Sequence, residues 1–293
     1  MHDRKGQPQS AYYFGHAAEL GNIDENLFEA MRLYLVRDLG VGDDVARLRA
    51  AQELAREIPC SVLSYLASAK VPIFDADVLD LGAGLGGMSE ELLIRGARVI
   101  AVEPGFAWAN LARRRAMRHG GAFHLLTAIG EAIPLRSESV DLVISLQALE
   151  HVKDPGQVLA EVWRILRPGG YFFLVCENYL SFREPHYRIP WFPLLPKSLG
   201  RIYLQACGRS PEFLDEAVTY TTYPSVLRQC RKLGFKRKRD EELAKSVRER
   251  MGFKWKALRI LTKLAGERGL YWLDRIRLTC KFTISELFSK PNI

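Results

Sequence analysis

The sequence predicts an α/β fold with a doubly wound, mostly parallel sheet, and three observations carry that reading. From Asp77 onward, short apolar runs alternate with amphipathic stretches: "DVLDL", "GGMSEELLIRG", "ARVIAVE", "FAWANLARRRAMRHG", "AFHLL", "VDLVISL", "GQVLAEVWRILRPGG" and "YFFLVCE". The runs are apolar at almost every position, as strands covered by helices on both faces must be. The first run passes into glycines, "VLDLGAGLGG" from Val78 to Gly87, where a strand has to turn sharply into a helix.

Taken in order, residues 1–70 read as an N-terminal helical cap. "NLFEAMRLYLVRDLG" and "DDVARLRAAQELAREIPCSVLSYLASA" place Leu, Val and Ile at three- and four-residue spacing, with Gly40 and Gly42 between them. Residues 71–178 hold the five strands and their crossover helices. After the fifth strand, the Pro- and aromatic-rich residues 179–220 are too long and too patterned for a simple connection, which predicts a lid insertion. Residues 221–293 complete the core with the helix "YPSVLRQCRKLGF", a basic helix over "EELAKSVRERMGFKWKALRILTKLAG" and a final strand. In that strand, "RIRLTCKFTIS", Ile276, Leu278, Cys280, Phe282 and Ile284 alternate with polar residues.

Composition narrows the function classes. With 48% hydrophobic residues in 293, the chain can bury a sizeable core. No apolar window is long enough to span a bilayer, and "MHDRKGQPQS" lacks the apolar centre of a signal peptide, so a cytoplasmic location is expected. Cys60, Cys176, Cys207, Cys230 and Cys280 are scattered without a CxxC pair, which predicts reduced thiols, no disulfide framework and no metal. The net charge of +8 is concentrated between Arg228 and Lys281. That basic, aromatic-containing stretch suits peripheral contact with an anionic membrane or a phosphorylated substrate, against the plainer reading of a solvated helix face.

The glycines fit two cofactors. Gly82, Gly84 and Gly87 match the spacing of a dinucleotide turn, while Gly82, Gly84 and Gly86 match a GxGxG loop. Asp80, two residues before the first glycine, separates them. Its carboxylate would repel a pyrophosphate but helps fix a cationic ligand, and S-adenosylmethionine carries a sulfonium and an ammonium group. Glu103, at the end of the second strand, is placed to accept hydrogen bonds from ribose hydroxyls in either case.

The chain resembles the class I S-adenosylmethionine-dependent methyltransferases, in particular their small-molecule branch with a methyltransferase type 11-like domain. "VLDLGAGLGG", "VIAVEPG", "GEAIPLRSESVDLVISLQALEHVKDP", "EVWRILRPGG" and "LRQCRKLGF" carry the resemblance in the family's order, over roughly Asp77 to Lys236. It implies a seven-stranded Rossmann-like sheet and S-adenosylmethionine as cofactor. By resemblance, Gly82, Gly84 and Gly86 line the methionine part with Asp80 beneath, Glu103 holds the ribose and Pro104 lies beside the adenine. Where the family carries an acidic adenine ligand this sequence has Ile129, so adenine recognition falls to the backbone near Ile129 and Gly130 or to Glu131. Ser145, Leu146 and Gln147, at the end of the fourth strand, are candidates to line the pocket where cofactor and acceptor meet.

Methyl transfer needs alignment of the acceptor more than a covalent nucleophile, but a hydroxyl acceptor benefits from a general base. His151 in "LEHVKDP" and His186 in "REPHYRIPWFP" are the candidates, each weighed against a purely structural role. Arg183, Glu184, Tyr187 and Trp191 around His186 are candidate substrate contacts, with simple packing of the lid as the alternative for the aromatics. His2, His16, His119 and His124 have no supporting context, and Tyr12 and Tyr13 are weaker candidates. The expected activity is methyl transfer to a small or carrier-linked acceptor, most readily at oxygen, in a glycan or secondary-metabolite pathway. The rivals are an RNA methyltransferase using the basic C-terminal face, a non-catalytic cofactor-binding protein, and a nicotinamide oxidoreductase. No recognisable RNA-binding module supports the first, and nucleic acid is not a favoured partner.

Overall fold

The computed structural model describes residues 25–37, 42–117, 124–184, 186, 187, 189–238 and 283–292. His2, Tyr12, Tyr13, His16, His119 and the basic stretch from residue 239 to residue 282 lie outside these.

Parallel strands β1 (Asp77–Leu81), β2 (Arg98–Val102), β3 (His124–Leu126), β4 (Val140–Leu146) and β5 (Leu166–Glu177) form most of the sheet. Strands β8 (Lys236–Arg237) and β9 (Thr283–Ser289) complete it in the order β3-β2-β1-β4-β5-β9-β8. Strand β9 is antiparallel to both β5 and β8, which makes it the one reversed strand of the seven. The expected mostly parallel, doubly wound sheet is thus present. The strand order reverses between β1 and β4, and the carboxyl ends of strands at such a switch open the crevice in which open α/β sheets bind ligands.

Alternation within β1 assigns its faces. Leu79 and Leu81 join Val143, Phe172 and Leu174 beneath helices α6 (Pro155–Ile165) and α9 (Tyr223–Leu233). Val78 joins Leu142, Ile144 and Phe173 beneath α3 (Glu57–Ser68), α4 (Gly87–Ile94) and α5 (Phe106–Met117). Each fully buried leucine on these faces contributes about 1.5–3 kcal/mol relative to exposure.

The N-terminal cap contains α1 (Glu25–Arg37) and α2 (Asp43–Leu54) ahead of α3. The long helical run expected from Asp43 to Ala69 is broken at Ala55 and Arg56. Pro59 is the reason: its ring would clash with the Ala55 carbonyl in a continuous helix, whereas it is tolerated in the first turn of α3. Leu27, Met31, Leu35, Ala46 and Ala50 of the cap pack with Leu85 of the glycine loop and Leu111 of α5. The cap therefore lies against the loop that follows β1.

The final strand continues past its expected end; Ile276, Leu278, Cys280 and Phe282 lie outside the described residues. It runs to Ser289, through Glu286, where alternation with polar residues suggested an end near Ser285. Glu286 is buried, with its carboxylate accepting from the Arg237 guanidinium and the Tyr223 hydroxyl, so a charged residue continues the strand inside the protein.

One buried ion pair joins the layers. Arg115 of α5 is fully buried; its Nε donates to Glu90 of α4 at 2.5 Å and its Nη1 to the Glu53 carbonyl of α2 at 2.6 Å. Removing one member of such a pair leaves the other charge uncompensated. Arg115→Ala should lower stability by about 3–5 kcal/mol in denaturant unfolding; a loss below about 1 kcal/mol would mean that the pair is not a joint between these helices.

Candidate functional site

The glycine loop begins where β1 ends. Gly82, Gly84 and Gly86 take φ of 76°, 52° and 77°, the left-handed region that glycine enters without strain. At Gly82 the requirement is twofold, because an added Cβ would lie 2.4 Å from the Ala148 Cβ in the turn after β4. Around Gly84 the reverse holds: no atom lies within 4 Å of an added Cβ, so its backbone faces open space that a ligand can approach. Helix α4 starts directly after Gly86 and turns its first N–H groups toward this loop.

Asp80 lies on the α4 face of β1, 2% exposed, and accepts a hydrogen bond from the Ser89 hydroxyl at 2.5 Å. Burial pushes its pKa up to about 6, the Ser89 hydrogen bonds oppose the rise and the nearby Glu103 charge adds to it. Glu103 ends β2, and its two carboxylate oxygens accept from the backbone N–H of Gly84 at 2.9 Å and of Gly105 at 2.8 Å. The residue assigned to the ribose thus also shapes the glycine loop, and each oxygen keeps acceptor capacity for a hydroxyl. Pro104 beside it is exposed.

Beyond β3, Ile129 is exposed and Gly130 partly so. Glu131 is engaged with another element: its Oε1 accepts from the N–H groups of Lys153 and Asp154, at 2.8 and 3.1 Å, just before α6. Of the two alternatives expected for an adenine, the Glu131 carboxylate is thus already occupied by backbone donors. Ser145 is buried at the end of β4, with Leu146 and Gln147 partly buried after it. Gln147 has φ of 54°, a strained conformation for a residue with a side chain, and such strain clusters at functional sites.

The insertion folds around a core of its own. Hairpin β6 (Arg183–Glu184) and β7 (Ile189–Pro190), helix α7 (Lys197–Ala206) and helix α8 (Glu212–Glu216) enclose Tyr179, Tyr187, Trp191, Leu204, Leu214 and Val218. Tyr187 and Trp191, 4% exposed each, are part of that core, and the Tyr187 hydroxyl donates to the Ser210 carbonyl. Arg183 is exposed. Glu184 is fully buried and serves the insertion, accepting from the Tyr187 N–H and from the Tyr179 hydroxyl.

Both candidate histidines converge. His151 stands on the short 3₁₀ turn Leu149–His151 that follows β4, and its ring centroid is 5.3 Å from that of His186, carried by the insertion. Phe213 of α8 lies 5.8 Å from the first and 5.1 Å from the second. The His151 Nδ1 donates to the Ala217 carbonyl at 2.7 Å, and the insertion is pinned to the same turn by the Thr219 N–H on the Glu150 carbonyl at 2.7 Å. Desolvation of the His151 ring by these neighbours holds its pKa below the ordinary value. His124 stays exposed on β3, away from the cluster.

Several residues here were not singled out from sequence. Glu150 is completely buried and its pKa is pushed up to about 7; Glu177, at the end of β5, is pushed up to about 9, in each case by desolvation first. Their mutual repulsion adds to the shift at Glu177. The available signal for Glu150 was its place beside His151 in "LEHV", a glutamate directly after an apolar strand end.

Residues 79–174 match the family model described as a methyltransferase domain. A ubiquinone biosynthesis O-methyltransferase of Hahella chejuensis is 36% identical over 108 residues, which are 36% of this chain and 45% of that protein. One of Photobacterium profundum is 30% identical over 117 residues, 40% of this chain and 50% of that protein. The chain thus spans about half the length of the curated relatives it matches. A solved structure from Galdieria sulphuraria, of a candidate sarcosine dimethylglycine methyltransferase, has a TM-score of 0.53 at 18% identity and covers 90% of this chain and 99% of that one. That likeness shows the shared fold.

The sign of the Asp80 shift makes a prediction. A carboxyl raised from 3.8 to about 6 by folding contributes stability below 3.8 that is lost as the pH rises through 6. Thermal unfolding of the ligand-free protein should show this loss, and Asp80→Asn should remove it. S-adenosylmethionine, being cationic, should bind more tightly as Asp80 ionises across the same window; an affinity that is flat with pH would remove Asp80 from the cofactor's surroundings.

Proposed function

We propose that this protein, which carries a class I S-adenosylmethionine-dependent methyltransferase domain, transfers the cofactor's methyl group to a hydroxyl of a small or carrier-linked molecule held beneath the insertion. The observation that carries the proposal is the meeting of His151 and His186 at 5.3 Å, on the turn that touches Gly82 of the cofactor loop. Two imidazoles beside a methyl donor suit an oxygen acceptor, whose proton must be drawn off as the new bond forms. The curated relatives, named as O-methyltransferases of ubiquinone biosynthesis, support oxygen as the methylated atom and a small organic acceptor.

The residues divide the work. Asp80 and the open backbone at Gly84 receive the charged methionine part, Glu103 the ribose, and the Ile129–Gly130 backbone the adenine. The insertion, acting as a lid, supplies His186 and excludes water, so that the acceptor oxygen is aligned with the methyl carbon and the sulfur. Alignment of this kind is worth up to about 7–11 kcal/mol. Tyr187 and Trp191 contribute by holding the lid together. No helix among the described residues is long and apolar enough to cross a membrane.

Titration calorimetry should show binding of S-adenosylmethionine and of its demethylated product but not of NAD. Glu103→Ala should weaken both by about ten- to a hundredfold, as expected for hydrogen bonds to a charged acceptor worth about 1.5–3 kcal/mol. In an extract of the host, mass spectrometry should find a small molecule that gains one methyl group when protein and cofactor are added. Tight cofactor binding with no methylated product would leave a cofactor-binding protein without this activity, and NAD binding in place of S-adenosylmethionine would end the proposal.

A further inference from the structure

Among the described residues, Glu150, His151 and His186 each bring one ligand-competent atom within 4.8 Å of the other two. Each is prepared by its neighbours. The His151 Nδ1 faces the Ala217 carbonyl, which can only accept, so that nitrogen carries the proton and Nε2 keeps its lone pair. The His186 Nδ1 lies 3.2 Å from the Glu184 Oε1 and 3.3 Å from the Tyr179 hydroxyl, which assigns its proton in the same way. A carboxylate or carbonyl behind the far nitrogen is the arrangement that orients metal-ligating histidines.

Glu150 supplies the independent observation. It is 0% exposed, and neither of its carboxylate oxygens makes a hydrogen bond of ordinary geometry. A buried carboxylate left in that condition is costly unless something else satisfies it. Among the described residues no lysine or arginine has an ion pair with it; the groups that act on it are the His186 imidazole, the acidic Glu177 of β5 and the backbone N–H groups of Glu150 and Glu177. Two neutral imidazole nitrogens and one carboxylate oxygen are the donor set of a divalent first-row transition ion, with positions left over for an oxygen ligand. Metal–ligand bonds of about 2.0–2.2 Å would draw the three atoms together by roughly an ångström, within the reach of small side-chain rotations.

We propose that Glu150, His151 and His186 form a binding site for a divalent transition-metal cation, which takes the acceptor's oxygen into an open coordination position. The use of the ion in catalysis rests on the methyl-transfer reading; the binding site does not. With both imidazoles holding the cation neither is the base: the histidines act through the ion, and the acceptor hydroxyl gives its proton to water at the exposed edge of His151 and becomes an oxyanion held by the cation. Its electron pair forms the bond to the methyl carbon, the carbon–sulfur bond breaks, and that pair returns to sulfur, leaving a neutral thioether. Such a site favours acceptors with two adjacent oxygens, which can chelate the ion.

The test uses the full chain after dialysis against a chelator, titrated with Co²⁺ and separately with Zn²⁺. One saturable equivalent is expected for each, with visible absorption bands for Co²⁺ that report nitrogen and oxygen ligands. Glu150→Gln and His186→Gln should each weaken binding more than a hundredfold, and Glu184→Gln, which weakens the orientation of His186 along with the contacts to Tyr179 and Tyr187, by about ten- to a hundredfold. S-adenosylmethionine affinity, measured on every variant, checks that the fold persists. No saturable binding, or binding that the variants leave unchanged, overturns the proposal. Methyl transfer that proceeds at full rate in the chelated protein would overturn the ion's part in catalysis while the function stands; metal binding without any methyl transfer would do the opposite.

Discussion

The contact between Gly82 and Ala148 is the constraint on which the rest of the site depends. A single added carbon at position 82 would come within 2.4 Å of the Ala148 side chain, so the loop after β1 and the turn after β4 are pressed together. One of these segments is the glycine loop and the other carries Glu150 and His151. So close an approach holds the two halves of the candidate site in a fixed relation to each other. Ser89 on Asp80 and Glu103 on Gly84 then fix the loop from below and from the side.

The insertion contributes in a different manner. Its aromatic residues pack against each other, which frees His186 from depending on a mobile loop for its position. Tyr179 and Tyr220 stack at 4.6 Å where the segment leaves and rejoins the sheet, and the Thr219 hydroxyl donates to the Val152 carbonyl. Burial of Tyr187 and Trp191 therefore stiffens the element that presents the His186 imidazole. Precision in a site comes from such supporting packing as much as from the groups that meet the ligand.

Much of this was legible in the residues. Apolar runs at the right intervals disclosed the parallel sheet, since strands covered on both faces have no polar phase to hide. The bend of the glycine loop was readable because it is local to one strand end, and Asp80 and Glu103 stand at the ends of β1 and β2 where the apolar runs place them. The Glu150, His151 and His186 cluster was only half visible: the two histidines stood out, each in its own motif, but their meeting depends on nonlocal packing of the insertion, and Glu150 carried no signal beyond its place beside His151. Tyr187 and Trp191 show the general difficulty, because a ring that meets a ligand and a ring that meets a leucine look alike in a sequence. The extent of the last strand was misjudged for a related reason. A charged residue such as Glu286 ordinarily signals solvent, and only its partners Arg237 and Tyr223, about 50 and 60 positions away, make it compatible with the interior.

The reversed strand β9 has a consequence for how the molecule is made. It fills the slot between β5 and β8, yet it is the last of the seven in chain order, and its partner Lys236 is paired with Ser289. Until that segment is synthesised, Tyr171–Glu177 of β5, the seven residues that pair with it, present an unpaired, largely apolar edge to the surroundings. A nascent chain can assemble the donor-binding half early, but it must wait, with a sticky border exposed, for the strand that seals it. During that interval the unpaired edge is open to non-native pairing, a hazard that ends when β9 docks.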